Sequence, residues 1–360
     1  MAHSTTKYFL GETSAAGYKT AFDQQIKSDD FFTYILKGGP GTGKSEIIKN
    51  IALRFADKDE FEIYSNAIDP CSPDAILFKK AKVILTDGSC PHSFEPTYPG
   101  AFQTLVNLDD CWNRTLLDAE KQQIKKLSDE NSTWLSRCRR YLTAFSSLNS
   151  DIYSIAKAAI NFEKLDGFIF RMLKKHFPKT GSSAGKIIYK KKSALTKNGY
   201  VTLPAEEYDS IIPLNDPCFA GSDYFLQQTA DLAVARGYTV LVSQCIHFNE
   251  TVFEHILIPE IKLAFLSVNG INELEFSEPA VNFMRFYDKT LLNSKKNRMD
   301  FSRKAAAELQ SEAVSSLNSA QKSYAALKAL YSSALEKEKW QTVYEKLEAE
   351  IAQRYPSSES

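Results

Sequence analysis

The sequence predicts an α/β chain of two tandem units, each a three-layer sandwich around a parallel sheet and each followed by a long helical hairpin. Three observations carry that expectation. Short apolar runs alternate with helical segments, several segments recur in order about half a chain apart, and each half ends in a long stretch almost free of Gly and Pro.

In the first half the strand-like runs are 32–37, 61–65 and 82–86, and in the second 210–214, 239–243 and 262–267. Helical segments at 45–55 and 224–236 fall between them, and such an alternation favours parallel strands joined by crossovers. The stretch 101–166 contains neither Gly nor Pro, and 271–355 contains only Pro279. These stretches predict hairpins over about 101–177 and 280–355. Within the second, Ala313, Leu317, Ala320, Tyr324, Leu327, Tyr331 and Ala334 step by four and three. That is a helical seam for packing within the chain.

The repeat pairs Gly17-Tyr18 with Gly199-Tyr200, Lys82-Val83 with Lys262-Leu263, and Trp112 with Tyr287. The Gly/Ser/Pro-rich segment 178–185 reads as the linker, giving domains 1–180 and 181–360.

Composition narrows the partners. Lys+Arg and Asp+Glu number 44 each, so no net field attracts nucleic acid or an anionic membrane. The basic runs 190–192 and 295–298 read as solvated surface. Residues 1–22 lack an apolar signal core, and no run approaches the ~20 apolar residues of a membrane span. The six cysteines form no C-x-x-C pair, and the irregular spacing of Cys71, Cys90 and His92 suits loop or buried thiols better than a metal site. A reducing cytoplasm is the expected location.

The chemistry concentrates at Gly38-Gly39-Pro40-Gly41-Thr42-Gly43-Lys44-Ser45, which matches G-x-x-x-x-G-K-[ST] between an apolar strand and an amphipathic helix. Glycines let successive backbone amides wrap phosphates at the positive end of a helix. The expected nucleotide ligands are Gly38, Gly39, Pro40, Gly41, Thr42, Gly43, Lys44, Ser45 and Glu46. Lys44 is placed for β- and γ-phosphate oxygens and the Ser45 hydroxyl for Mg²⁺. Asp87, closing the apolar run Val83-Ile84-Leu85, reads as the second metal residue. In the second half Lys44 falls on Gly221 and Asp87 on Ser267, so one site per chain is expected. Further candidates are Asp69, a substrate contact or a turn or helix cap before 75–80, then Asp74, His92 and Glu95. Residue 88 is Gly, so no second carboxylate follows Asp87. Arg137, Arg139 and Arg140 lie on the first hairpin, where Arg140 is the candidate for closing over a transferred phosphoryl group.

Lys37 through Ser45, Asp69-Pro70, Asp87-Gly88-Ser89, Pro91-His92 and Tyr98-Pro99-Gly100-Ala101 together resemble a family of uncharacterised bacterial tandem P-loop NTPases. Cys245, Asn249, Glu254 and Ile258-Pro259-Glu260 are similar in the second half. The resemblance spans nearly the whole chain and implies two P-loop units and ATP binding. Members typically carry a second intact loop, from which this chain departs at Gly221. Three activities fit these residues: a slow ATPase switching a conformation or a partner protein, a phosphotransferase with a small acceptor, and a nucleotide-binding scaffold.

Overall fold

The computed structural model describes residues 5–91, 93–177, 184–249, 251–272, 274–276 and 279–356. The chain divides into two compact units. One comprises Met1–Thr13, Tyr18–Cys138 and Ser315–Ser360, the other Ser14–Gly17 and Arg139–Val314. This differs from the expected break at 180/181, since 139–177 groups with the second unit and the chain from Ser315 with the first. The long helices give the reason. Both breaks fall inside helices, of 45 and 38 residues, rather than at a loop. Of the expected linker, 178–183 lies outside the described residues.

The first unit opens with β1 (Thr5–Phe9), the hairpin strands β2 (Gly11–Ser14) and β3 (Gly17–Thr20), and a single turn α1 (Asp23–Ile26). Then come β4 (Phe32–Lys37), α2 (Lys44–Phe55), β5 (Phe61–Ser65), β6 (Pro73–Phe78), β7 (Val83–Asp87) and β8 (Gln103–Asn107). The sheet order is β1-β5-β6-β7-β4-β8. Pairings β1–β5, β4–β7 and β4–β8 are parallel, whereas β5–β6 and β6–β7 are antiparallel. The sheet is therefore mixed, where a purely parallel one was expected. The connections explain it, because no helix separates β5, β6 and β7. Asn66 accepts from Ile68 N and Asp69 N to turn the chain after β5. Lys82, at φ 51°, turns it between β6 and β7. Short links of this kind can join only antiparallel neighbours. The helix at 75–80 that was one alternative for Asp69 to cap is not formed; β6 covers Pro73–Phe78.

The long helices are α3 (Arg114–Ala158), α4 (Phe162–His176), α7 (Lys296–Ser333) and α8 (Lys337–Gln353), with α5 (Ala220–Ala235) and the short α6 (Lys289–Ser294) between them. Strand β8 occupies part of the stretch expected to be wholly helical. Only Gln103 of its five residues is buried, as suits a strand at the edge of the sheet. The first unit's core joins Ile47, Ile48, Ile51 and Phe55 of α2 to Tyr34, Leu36, Ile76, Phe78, Val83 and Leu85 of the sheet, and to Leu347 and Ile351 of α8. Each large apolar side chain so buried contributes about 1.5–3 kcal/mol. The seam residues Leu317, Ala320, Leu327 and Ala334 are buried, and Asn131 Nδ2 donates to Ala320 O. Tyr324 departs from the seam and stays 39% exposed.

In the second unit the strands are β9 (Lys186–Tyr189), β10 (Ser193–Thr196), β11 (Gly199–Thr202), β12 (Ser210–Asn215), β13 (Thr239–Cys245), β14 (Val252–Ile258), β15 (Leu263–Val268) and β16 (Val281–Asn282). Its sheet order is β16-β12-β15-β14-β13-β9. Read from β8 in one unit and β16 in the other, the two sheets share every strand sense. Irregularities sit in step as well. Both β5 and β13 carry a register shift, and Lys82 and Lys262 both take positive φ. One expectation is reversed here: Lys190, Lys191 and Lys192 are buried. Lys192 Nζ donates to Pro204 O at 2.6 Å and Lys191 Nζ to Gln244 O at 3.1 Å, so these ammonium groups exchange water for chain acceptors. The run 295–298 is exposed as expected.

Candidate functional site

In the first unit the loop 38–43 connects the C-terminal end of β4 to α2. Gly39, Gly41 and Gly43 each have a close neighbour where a Cβ would stand. A Cβ on Gly39 would lie 2.6 Å from Trp112 Cη2, one on Gly41 2.6 Å from Lys328 O, and one on Gly43 2.8 Å from Trp340 Nε1. Gly41 and Gly43 also take φ of 77° and 79°, where a side chain is strained.

The amides of this loop are the site's most informative feature. Among the described residues, the N–H groups of Gly41, Thr42, Gly43, Lys44, Ser45 and Glu46 donate to no atom of the chain. Runs of free amides at a helix N-terminus are the material from which anion-binding concavities are built. Lys44 is 8% exposed, and its Nζ donates to Gly38 O and, at 3.0 Å, to Gly39 O. Burial lowers its pKa, and Asp87 opposes that shift most strongly. Asp87 Oδ2 lies 3.8 Å from Lys44 Nζ, and Asp87 Oδ1 accepts from Ser89 N at 2.8 Å. The Ser45 hydroxyl makes no hydrogen bond among the described residues. One carboxylate and one hydroxyl suit Mg²⁺, which completes its shell with water and phosphate oxygens. Glu46 is exposed on the first turn of α2.

Asp74 stands beside this pair. The register sets Ala75 of β6 against Thr86 of β7, which brings Asp74 next to Asp87 across the strands. Asp74 is 4% exposed and accepts from Asn66 Nδ2 at 2.8 Å. Burial, and then the charge of Asp87, raise its carboxyl to about 8. The folded protein thus keeps a proton that the unfolded chain releases near pH 4, and stability falls as pH rises from about 4 to about 8. Asp74→Asn is expected to remove most of that slope, leaving the metal-free variant about 2–5 kcal/mol more stable than wild type at pH 8. Urea denaturation at pH 5 and pH 8 checks this.

The other candidates distribute as follows. Asp69 lies in the turn after β5 and caps no helix. Glu95 is exposed and paired with Lys37 at 2.6 Å. His92 lies outside the described residues. Arg137 covers the Trp134 ring at 4.6 Å, while Arg139 and Arg140 are exposed and belong to the second unit.

Residues that the sequence reading did not bring to the loop come from α7 and α8. Ser332 Oγ donates to Gly41 O at 3.3 Å and Trp340 Nε1 to Thr42 O at 3.0 Å. Tyr331 packs on Trp112 at 4.8 Å between centroids. Burial of its hydroxyl and the charges of Asp87 and Asp74 raise Tyr324 to about 12. The charge of Lys328 acts on Lys44. Tyr324, Lys328 and Tyr331-Ser332 recur one turn apart on a single helix face. Of these, only Tyr324 and Tyr331 carry a signal in the sequence, as the two tyrosines of the helical seam.

The second unit's loop is built differently. Its helix α5 starts after Phe219, at φ 66°, as α2 starts after Gly43. Phe219 O accepts from Asp223 N as Gly43 O accepts from Ile47 N, both at 2.9 Å. Lys44 therefore corresponds to Ala220, one residue before the expected Gly221, and on either alignment the ammonium is missing. Ser267, aligned with Asp87, is buried. Comparison of the chain with family models, curated proteins and solved structures gave no match.

Proposed function

We propose that the first unit binds a nucleoside triphosphate with Mg²⁺, ATP in the first instance, and that the second is a copy of the same P-loop-type unit without a nucleotide. The run of unpartnered amides from Gly41 to Glu46 in front of the buried Lys44 carries this reading. The shared strand order and senses of the two sheets support the duplication. On this reading the loop amides and Lys44 hold the phosphates, while Ser45 and Asp87 hold Mg²⁺, which when bound neutralises phosphate charge.

The activity we propose is slow ATP hydrolysis coupled to a conformational change. Ser332 and Trp340 bond to loop carbonyls of Gly41 and Thr42, so a loop reshaped by phosphate acts directly on α7 and α8. Gly88 follows Asp87, and turnover by the protein alone is expected below the ~1–100 s⁻¹ of kinases on their substrates. The test follows ADP formation from Mg·ATP, alone and with a pool of nucleotides and small metabolites. Slow acceptor-independent ADP supports the switch, acceptor-dependent ADP makes the protein a phosphotransferase, and none leaves a binding scaffold. Lys328→Ala and the double variant Arg139→Ala/Arg140→Ala, measured side by side, show which cation assists. A supplied cation of this kind contributes up to about 10³–10⁵ in rate, and Lys328 is expected to give the larger loss.

A further inference from the structure

The second unit's loop accounts for all its amides internally. Cys218 N donates to Asp216 Oδ1 at 3.0 Å and Ser222 N to Asp216 Oδ2 at 2.8 Å. Gly221 N donates to Tyr287 Oη at 2.6 Å, and that hydroxyl donates to Asp216 Oδ2 at 2.9 Å. Phe219 N and Ala220 N close on Asp216 O and Cys218 O. Asp216 is fully buried and Tyr287 is 5% exposed. Burial and the neighbouring Asp216 push the Tyr287 phenol well up, so it stays a donor. At the equivalent helix start of the first unit, the amides of Gly43 to Glu46 have no partner among the described residues.

We infer that the Asp216 carboxylate, with Tyr287, is the built-in anion of the second loop and occupies the place of a phosphate. A helix N-terminus stabilises a negative group whether it arrives on a ligand or on the chain. Here two oxygens of one carboxylate and one phenol saturate the donors that a phosphate would need. The space is closed too. A Cβ on Gly221 would lie 2.9 Å from Tyr287 Oη, 3.1 Å from Phe283 Cδ1 and 3.3 Å from Asp216 Oδ2. Asp216 and Tyr287 are thus the residues that limit the chain to one nucleotide. The loss of the lysine alone would leave the amides free to hold a small oxyanion.

The inference uses the first unit only for comparison, and its test reads the two loops separately. Hydrogen exchange is followed on peptides covering 216–223 and 38–47, with and without millimolar inorganic phosphate. In the wild type, phosphate is expected to leave 216–223 unchanged. In Asp216→Ala the amides of Cys218 and Ser222, which lose their carboxylate acceptor, are expected to exchange at least about tenfold faster, and phosphate to restore most of their protection. In Tyr287→Phe only Gly221 is expected to gain exchange, with no response to phosphate because the carboxylate remains. Phosphate protection of 216–223 in the wild type or in Tyr287→Phe overturns the inference. So does an Asp216→Ala loop that phosphate does not protect. Should Asp216→Ala not fold, the wild type and Tyr287→Phe decide. A failure of the nucleotide reading shows instead in peptide 38–47.

Discussion

Lys44→Ala is expected to weaken Mg·ATP binding about 10- to 150-fold, the equivalent of roughly 1.5–3 kcal/mol for a lost charge-assisted contact. Lys44 is the only ammonium whose bonds run to the loop itself among the described residues, through Gly38 O and Gly39 O. Gly38 O keeps a second donor in Ser89 Oγ at 2.8 Å and Gly39 O keeps one in Thr42 Oγ1 at 2.9 Å, so the far-UV spectrum should match wild type. Isothermal titration of the variant measures the loss. Unchanged affinity with an intact fold would remove Lys44 from the site.

Gly41→Ala should destabilise the protein by about 2–5 kcal/mol, combining left-handed strain with overpacking. Its Cβ would lie 2.6 Å from Lys328 O and 2.8 Å from Ser332 N, and both atoms are helix backbone that cannot turn aside. Gly100 is the control. It has nearly the same φ, 78°, but nothing within 4 Å of its Cβ. Gly100→Ala should therefore cost only the strain, about 1–2 kcal/mol. Thermal or urea unfolding of the pair separates the two contributions. Equal losses would show that α7 does not press on the loop as the structure has it.

What was legible in the sequence was local. The strand–loop–helix around Gly38–Ser45 and the end of β7 at Asp87 follow from periodicity and glycine placement over a few residues. Repeats near Gly17, Lys82 and Trp112 pointed to a second unit, and the matching φ of Lys82 and Lys262 accords with that register. Less legible was anything set by connection length. The antiparallel β6 depends on an Asn66 turn whose bonds no apolar pattern announces. The burial of Lys191 and Lys192 was hidden because it rests on main-chain acceptors outside the run, Gln244 O and Pro204 O. The approach of Tyr324, Lys328, Ser332 and Trp340 to the loop joins residues about 290 positions apart, and single-chain periodicity carries no information at that range. Nothing in the sequence around Asp216 announces that its two oxygens close on the loop amides.

The central claim is one triphosphate site per chain, in the first unit, and calorimetric titration with a non-hydrolysable ATP analogue and Mg²⁺ tests it most directly. The account predicts a stoichiometry near one for the wild type, retained in Tyr287→Phe and lost to weak binding in Lys44→Ala. A stoichiometry near two, or tight binding that survives Lys44→Ala, would contradict it.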